Sequence, residues 1–188
     1  VSLVDRLRRY AAAEDPAAAA ANLIALVLAW NGPLYPLYVL WIAGWGATAA
    51  WGSALASPWF FAVPWLTRRN AGLGKLALVI VGTANTIWCV KLFGPGSGVG
   101  LFFYPCIALA ALLHRPGERV LFGVAAGLPL AAYFLPLSIY GAPLLDLSVG
   151  GNAALAALNG GSVAILGGFS ALQFVRVIEA RRLQPETP

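Results

Sequence analysis

An all-α integral membrane fold with six transmembrane helices is predicted by three features of the sequence: its composition, the spacing of its apolar runs and the sorting of its basic residues. Of 188 residues, 60% are hydrophobic and 10% charged, where a soluble domain carries about 25% charged residues. Too few charges remain to cover a water-exposed surface. About 20 apolar residues of helix, each rising about 1.5 Å, cross a hydrocarbon core about 30 Å thick. Six such runs fall at residues 17–42, 51–66, 73–92, 99–113, 120–140 and 152–175.

Charge supports that number independently of hydropathy, because cytoplasmic loops collect Lys and Arg. Six spans put both termini on one side. That side gathers Arg6, Arg8, Arg9, Arg68, Arg69, Lys75, Arg115, Arg119, Arg176, Arg181 and Arg182, eleven of the twelve basic residues, and leaves out Lys91. Five or seven spans would split the terminal clusters across the membrane. The expected location is the bacterial inner (cytoplasmic) membrane, multi-pass, with both ends cytoplasmic. The net charge of +5 is then balanced by the anionic lipid of the bilayer, and nucleic acid is not an expected partner.

Three regions follow. Residues 1–16 form a short amphipathic helix on the cytoplasmic surface, 17–176 the membrane domain and 177–188 a cytoplasmic tail. In VSLVDRLRRYAAAEDP, Leu3, Leu7 and Tyr10 share one helical face against Arg6 and Arg9, and Pro16 is expected to end the helix. No small-residue cleavage site separates this segment from the first apolar run, so it does not read as a cleaved signal. The first run is long enough to tilt or to kink at Pro33 and Pro36.

The stretch FGPGSGVGLFFYP carries glycine at positions 94, 96, 98 and 100. A phosphate loop of the Walker type would end in Lys-Ser/Thr, and a dinucleotide loop would need Gly-x-Gly-x-x-Gly. Leu101 and Val99 stand where those patterns require other residues. Gly94, Gly96, Ser97 and Gly98 therefore read as an outer turn between the third and fourth spans. Glycine there permits φ > 0 and close approach, with Phe102, Phe103 and Tyr104 as an aromatic belt at the headgroups.

Catalytic constellations are missing from the pattern. His114 is the one histidine, placed at the inner end of the fourth span, and a haem or chlorophyll site would need further ligands. It is the single weak candidate for a cofactor ligand; no cofactor and no metal are expected. Asp5, Glu14, Asp15, Glu118, Asp146, Glu179 and Glu186 all fall in termini or loops, which leaves no carboxylate in mid-membrane to relay protons. Cys89 and Cys106 read as buried free thiols behaving as small apolar residues. The polar groups inside the spans are Asn31, Asn85, Asn152, Asn159 and Gln173, read either as interhelical hydrogen bonds or as the lining of a small ligand cavity. Gly123 and Gly127, in GVAAG, form a GxxxG face for close helix contact, within the chain or between chains.

The third to fifth spans, GLGKLALVIVGTANTIWCVKLFGPGSGVGLFFYPCIALAALLHRPGERVLFGVAAGLPLA, resemble the six-helix membrane input domain of bacterial membrane adenylate cyclases and related signalling proteins. In that family an Arg-bearing inner loop precedes the third span, a G-x-x-S/D-G-x-x-x-F-F turn opens the fourth, and a basic loop precedes the fifth. Gly94, Ser97, Gly98, Phe102, Phe103, Arg115 and Arg119 occupy matching positions. The shared layout covers residues 68–182; the first two spans match only as spans. Family members continue into a catalytic domain, whereas this sequence ends at EARRLQPETP. The chain is expected to be either the membrane portion of such a protein or a free-standing relative without the enzyme.

The resemblance implies a non-catalytic sensory or regulatory membrane domain. An accessory subunit packed against a larger membrane complex is the alternative, with 7 Trp, 6 Tyr and 9 Phe to face lipid or partner helices; a small-molecule carrier comes third. Expected partners are the lipid bilayer and another membrane protein or a second copy of the chain. The topology is tested by cysteine labelling in a background with Cys89 and Cys106 replaced. Gly96→Cys should react with an impermeant reagent in whole cells and Arg115→Cys should not; the reverse pattern overturns the topology.

Overall fold

The computed structural model describes residues 2–115 and 117–183. Among these there is no strand, and the α-helices are α1 (Leu3–Ala11), α2 (Pro16–Asn31), α3 (Tyr35–Ala43), α4 (Ser57–Arg69), α5 (Ala71–Phe93), α6 (Phe103–Leu113), α7 (Arg119–Tyr133), α8 (Leu137–Tyr140) and α9 (Val149–Leu183). Short 3-10 helices occupy Thr48–Ala56, Pro95–Ser97 and Val99–Phe102. Three stretches are long and apolar enough to cross a membrane: Pro16–Ala43, Ala71–Phe93 and Val149–Ala180. The fourth and fifth apolar runs appear as the shorter helices Val99–Leu113 and Arg119–Tyr133. The second run is divided between the 3-10 helix Thr48–Ala56 and α4. Tail residues 184–188, with Glu186, and the side chain of Arg181 lie outside the described residues.

Proline marks the helix boundaries differently from the sequence expectation at one place. Pro16 begins α2 instead of ending α1: it sits in the first turn, where a missing N–H costs nothing, and the Asp15 side chain caps by accepting from the Ala17 N–H at 3.3 Å. α1 already stops at Ala11, after starting from a Ser2/Asp5 capping box. The kink expected at Pro33 and Pro36 is a break over residues 32–34, after which Pro36 lies in the first turn of α3. α9 continues without interruption to Leu183, beyond the position where a tail was expected.

α5 runs through the middle, touching α2, α4, α6 and α7. One apolar cluster joins Ile24, Leu78, Val79, Leu109, Leu113 and Phe174; a second, toward the far end of α5, joins Val39, Leu92, Phe93, Val99 and Leu155. α2, α4 and α5 are pinned by an amide that the sequence reading passed over. Asn22 is fully buried, donates from Nδ2 to the Ala11 carbonyl at 3.1 Å and accepts from Thr67 Oγ1 at 2.7 Å. Thr67 in turn lies directly on Gly74 of α5.

The GxxxG expectation is corrected within this chain. Gly123 and Gly127 are exposed, and a Cβ added at either would meet nothing within 4 Å. The reason is the rotation of α7, which buries Ala125, Pro129 and Ala132 and so turns the two glycines away from the bundle. Close approach occurs elsewhere: a Cβ on Gly74 would lie 2.7 Å from the Thr67 Cα, and one on Gly98 would lie 2.9 Å from the Ala156 Cα. Gly74→Ala is therefore expected to destabilise the protein by about 1–3 kcal/mol through overpacking, while Gly127→Ala is neutral or slightly stabilising. Thermal unfolding of both variants in mild detergent measures the difference, and equal melting temperatures would contradict the packing described.

Candidate functional site

The polar groups fall into two assemblies at opposite ends of the bundle, with a cavity between them. At the end formed by the starts of α2, α5 and α7, Lys75, counted from the sequence among the cytoplasmic cations, is 1% exposed. Its Nζ contacts Glu118 Oε1 and Oε2 at 2.9 Å and Asp15 Oδ2 at 3.4 Å. Arg115 reaches the other Asp15 oxygen at 3.3 Å, and Glu118 accepts the Arg115 backbone N–H at 2.8 Å. The two carboxylates also suit the positive ends of α2 and α7, which they precede.

Burial raises the pKa of Asp15 and of Glu118, but Lys75 and the backbone donors Ala17 and Arg115 outweigh it, and both carboxyls end below their ordinary values. Beside this cluster His114 is buried, its Nδ1 3.0 Å from the Ala110 carbonyl oxygen and its Nε2 without a hydrogen-bond partner. On the same end Arg68 lies 4.8 Å above the Tyr10 ring, and Arg8 and Arg176 border one shallow hollow with Gln173.

At the other end the glycine turn is more deeply built in than an outer loop. Ser97 and Val99 are buried and Phe93 is 1% exposed, while Pro95 and Gly96 remain exposed. Gly94 and Gly98 have positive φ, 77° and 73°; Gly96 and Gly100 do not. Asn159 of α9 donates to the Ser97 carbonyl at 2.8 Å and accepts from the Tyr35 hydroxyl at 2.9 Å. Asn152 donates to Leu147 at 3.1 Å and lies against Gly96. Of the expected aromatic belt, Tyr104 is exposed and pairs with the Tyr133 hydroxyl at 2.8 Å, but Phe103 is buried. A buried Phe103 follows from α6 starting there, with Phe103, Cys106 and Ala110 on its inward face.

Between the two assemblies, a cavity of about 100 Å³ is lined by residues of α2, α4, α5, α6 and α9 and by the 3-10 segments next to them. Asn31 and Asn85 reach it, as do the buried free thiols Cys89 and Cys106, of which Cys89 donates to Asn85 Oδ1 at 3.8 Å. The five expected polar positions thus separate: Asn152 and Asn159 hold the glycine turn, Asn31 and Asn85 line the cavity, and Gln173 lies at the charged end. Asn22, Lys75, Asp15 and Glu118 were missed, because their meeting joins positions far apart in the chain. The only local signal was a lysine one turn inside an apolar helix.

Searches of protein-family models, curated proteins and solved structures found no match to this chain.

The charge cluster makes stability depend on pH in a definite direction. Asp15 and Glu118 have folded-state pKa values below their ordinary 3.8 and 4.5. Their contribution is complete above those ordinary values and is lost as pH falls through the depressed folded-state ones. Lys75→Met leaves two neighbouring carboxylates without their buried counter-charge. Breaking a buried pair costs roughly 3 kcal/mol or more, reduced here because both carboxylates keep some contact with solvent. Thermal unfolding from pH 7 down to pH 3 should show a wild-type loss in the acid limb and a flattened profile for Lys75→Met. Parallel profiles would remove the cluster from the account of stability.

Proposed function

We propose that this chain is a non-catalytic sensory or regulatory membrane domain, of the kind that serves as the input of bacterial membrane adenylate cyclases. It crosses the bilayer six times with both ends cytoplasmic. The observation that carries the reading is α9. Its 35 residues extend about 50 Å at about 1.5 Å each, against a hydrocarbon core of about 30 Å. It is fastened to the glycine turn at one end by Asn159 and Ala156, and its other end carries Arg176, Glu179 and Arg182. One rigid element thereby joins the outer turn to a charged stretch beyond the bilayer, which is the connection a transmitter needs.

Six crossings are supported by lengths as well as by charge. The 3-10 helix Thr48–Ala56 and α4 together extend about 37 Å. Val99–Leu113 and α7 are shorter, at about 24 and 22 Å, and fit by local thinning of the bilayer. The contact of Arg68 with Tyr10, the cluster of Lys75, Asp15 and Glu118, and the hollow bordered by Arg8 and Arg176 gather the basic ends together, as the cytoplasmic assignment needs.

A second reading, an accessory subunit of a membrane complex, has one observation in its favour: the open Gly123 and Gly127 face of α7 would accept a close-packed helix from another protein.

Transmission is tested by moving the outer attachment and reading the inner end. In a background with Cys89 and Cys106 replaced, spin labels at Arg69→Cys and Arg176→Cys report the position of α9 in lipid nanodiscs. Gly98→Leu, forced against Ala156, should shift that distance by about 2 Å, the scale of helix movements in switching proteins. An unchanged distance in a folded variant would refute the transmitter reading.

A further inference from the structure

The cavity between α2, α4, α5 and α6 has the walls of a binding site. Its apolar sides include Phe60, Leu78 and Leu109, and its polar groups include the Asn31 and Asn85 side chains. Ser57 belongs to the wall as well, but its Oγ is packed against Gly32 and has no hydrogen-bond partner. Among the described residues no Asp, Glu, Lys, Arg or His borders the space, so a charged occupant would find no counter-charge there. The volume, about 100 Å³, is somewhat below the 150 Å³ of an engineered apolar cavity that admits benzene.

Access leads to the membrane. A larger groove of about 770 Å³ lies between α1, α2 and α9, bordered by Leu23, Val27, Trp30 and Ile165. Leu28, Asn31, Tyr35, Phe102 and Leu166 line both spaces. The groove is open and apolar, and Trp30 and Ile165 are 69% and 75% exposed, which in a bilayer means exposure to lipid. A solute already dissolved in the hydrocarbon therefore reaches the cavity by passing Phe102 and Leu166.

We propose that this cavity binds an uncharged, bilayer-soluble molecule of about four to six heavy atoms bearing one hydrogen-bonding group, admitted sideways from the membrane. The Asn31 and Asn85 amides hold the polar group, and Phe60, Leu78 and Leu109 surround the apolar body. The inference rests on the chain being a membrane domain, but not on transmission through α9, since binding is read separately from any movement of that helix.

The test uses cyclopentanol and cyclopentane, which share a ring and differ by the hydroxyl, with the purified chain in lipid nanodiscs. A ligand that binds only the folded state raises the melting temperature saturably. Cyclopentanol should do so with an apparent affinity about tenfold tighter than cyclopentane, the worth of one buried hydrogen bond. Gly82→Leu, which fills the cavity beside Cys106, should abolish the saturable rise. Asn31→Leu and Asn85→Leu, which delete the amides while keeping the number of side-chain heavy atoms, should erase the tenfold preference while retaining the cyclopentane response. Non-saturable shifts equal in wild type and Gly82→Leu overturn the proposal. If Gly82→Leu does not fold, the two polar-deleting variants decide: an undiminished preference for the alcohol in both overturns it equally.

Discussion

α5 is held at both ends by its lysines, and the rest of the bundle is arranged around that fixation. At one end Lys75 brings Asp15 and Glu118 together, which sets the starts of α2 and α7 against the start of α5. At the other, Lys91 Nζ donates to the Ala142 carbonyl at 2.6 Å, and the backbone carbonyls of Lys91 and Leu92 accept from Leu144 and Leu145. The loop between α8 and α9 is thereby tied to the C-terminal turn of α5. Between these fixed points the helix presents mostly apolar residues. Lipid supplies no hydrophobic drive for one helix to choose another, so polar contacts at the two ends have a large share in setting which helices are neighbours and at what height.

The sequence made the helical class, the long apolar runs and the sorting of charge readable, because each is a property of neighbouring residues or of a simple count. α5 was located within two residues at its start and one at its end, since Asn70 caps it and Gly94 stops it at the two ends of one long apolar run. The rest depended on contacts between distant positions. Lys75 was counted only as one of the cytoplasmic cations because nothing within a few residues reveals that Asp15 and Glu118 arrive beside it. Asn22 was passed over for the same reason: its partners are the Ala11 carbonyl and Thr67. The GxxxG motif carried no direction, because spacing gives a common face but not which way it turns, and within this chain it faces outward. The neighbouring stripe Ala125, Pro129 and Ala132 took the inward position.

The glycine turn was legible in part for a related reason. Positive φ at Gly94 and Gly98 follows from local chain reversal, and glycine is the residue that accepts it without a Cβ clash. That the turn is buried, with Ser97 fully enclosed and its carbonyl satisfied by Asn159, comes from α9 crossing over it. A turn buried in protein must have its backbone groups satisfied by protein, because solvent does not reach them. Asn159 supplies one such donor, which accounts for an amide at that level of α9.

α9 itself is built in two kinds of sequence. Glycines at 150, 151, 160, 161, 167 and 168 interrupt its first two thirds, and residues 169–183 contain none. Glycine weakens a helix in water by about 1 kcal/mol relative to alanine, but in hydrocarbon an opened backbone hydrogen bond costs several kcal/mol. The glycine-rich part can therefore remain helical in the bilayer even though its composition would not hold it in water. The final stretch, FSALQFVRVIEARRL, lacks glycine and needs no such help. Under the proposed reading, the division has a mechanical consequence. The glycine-rich portion is fastened to the turn through Ala156 and Asn159, and the glycine-free portion still packs on the core through Phe174 and Val177, so a shift at the turn is carried along one continuous helix to Glu179 and Arg182 beyond that contact.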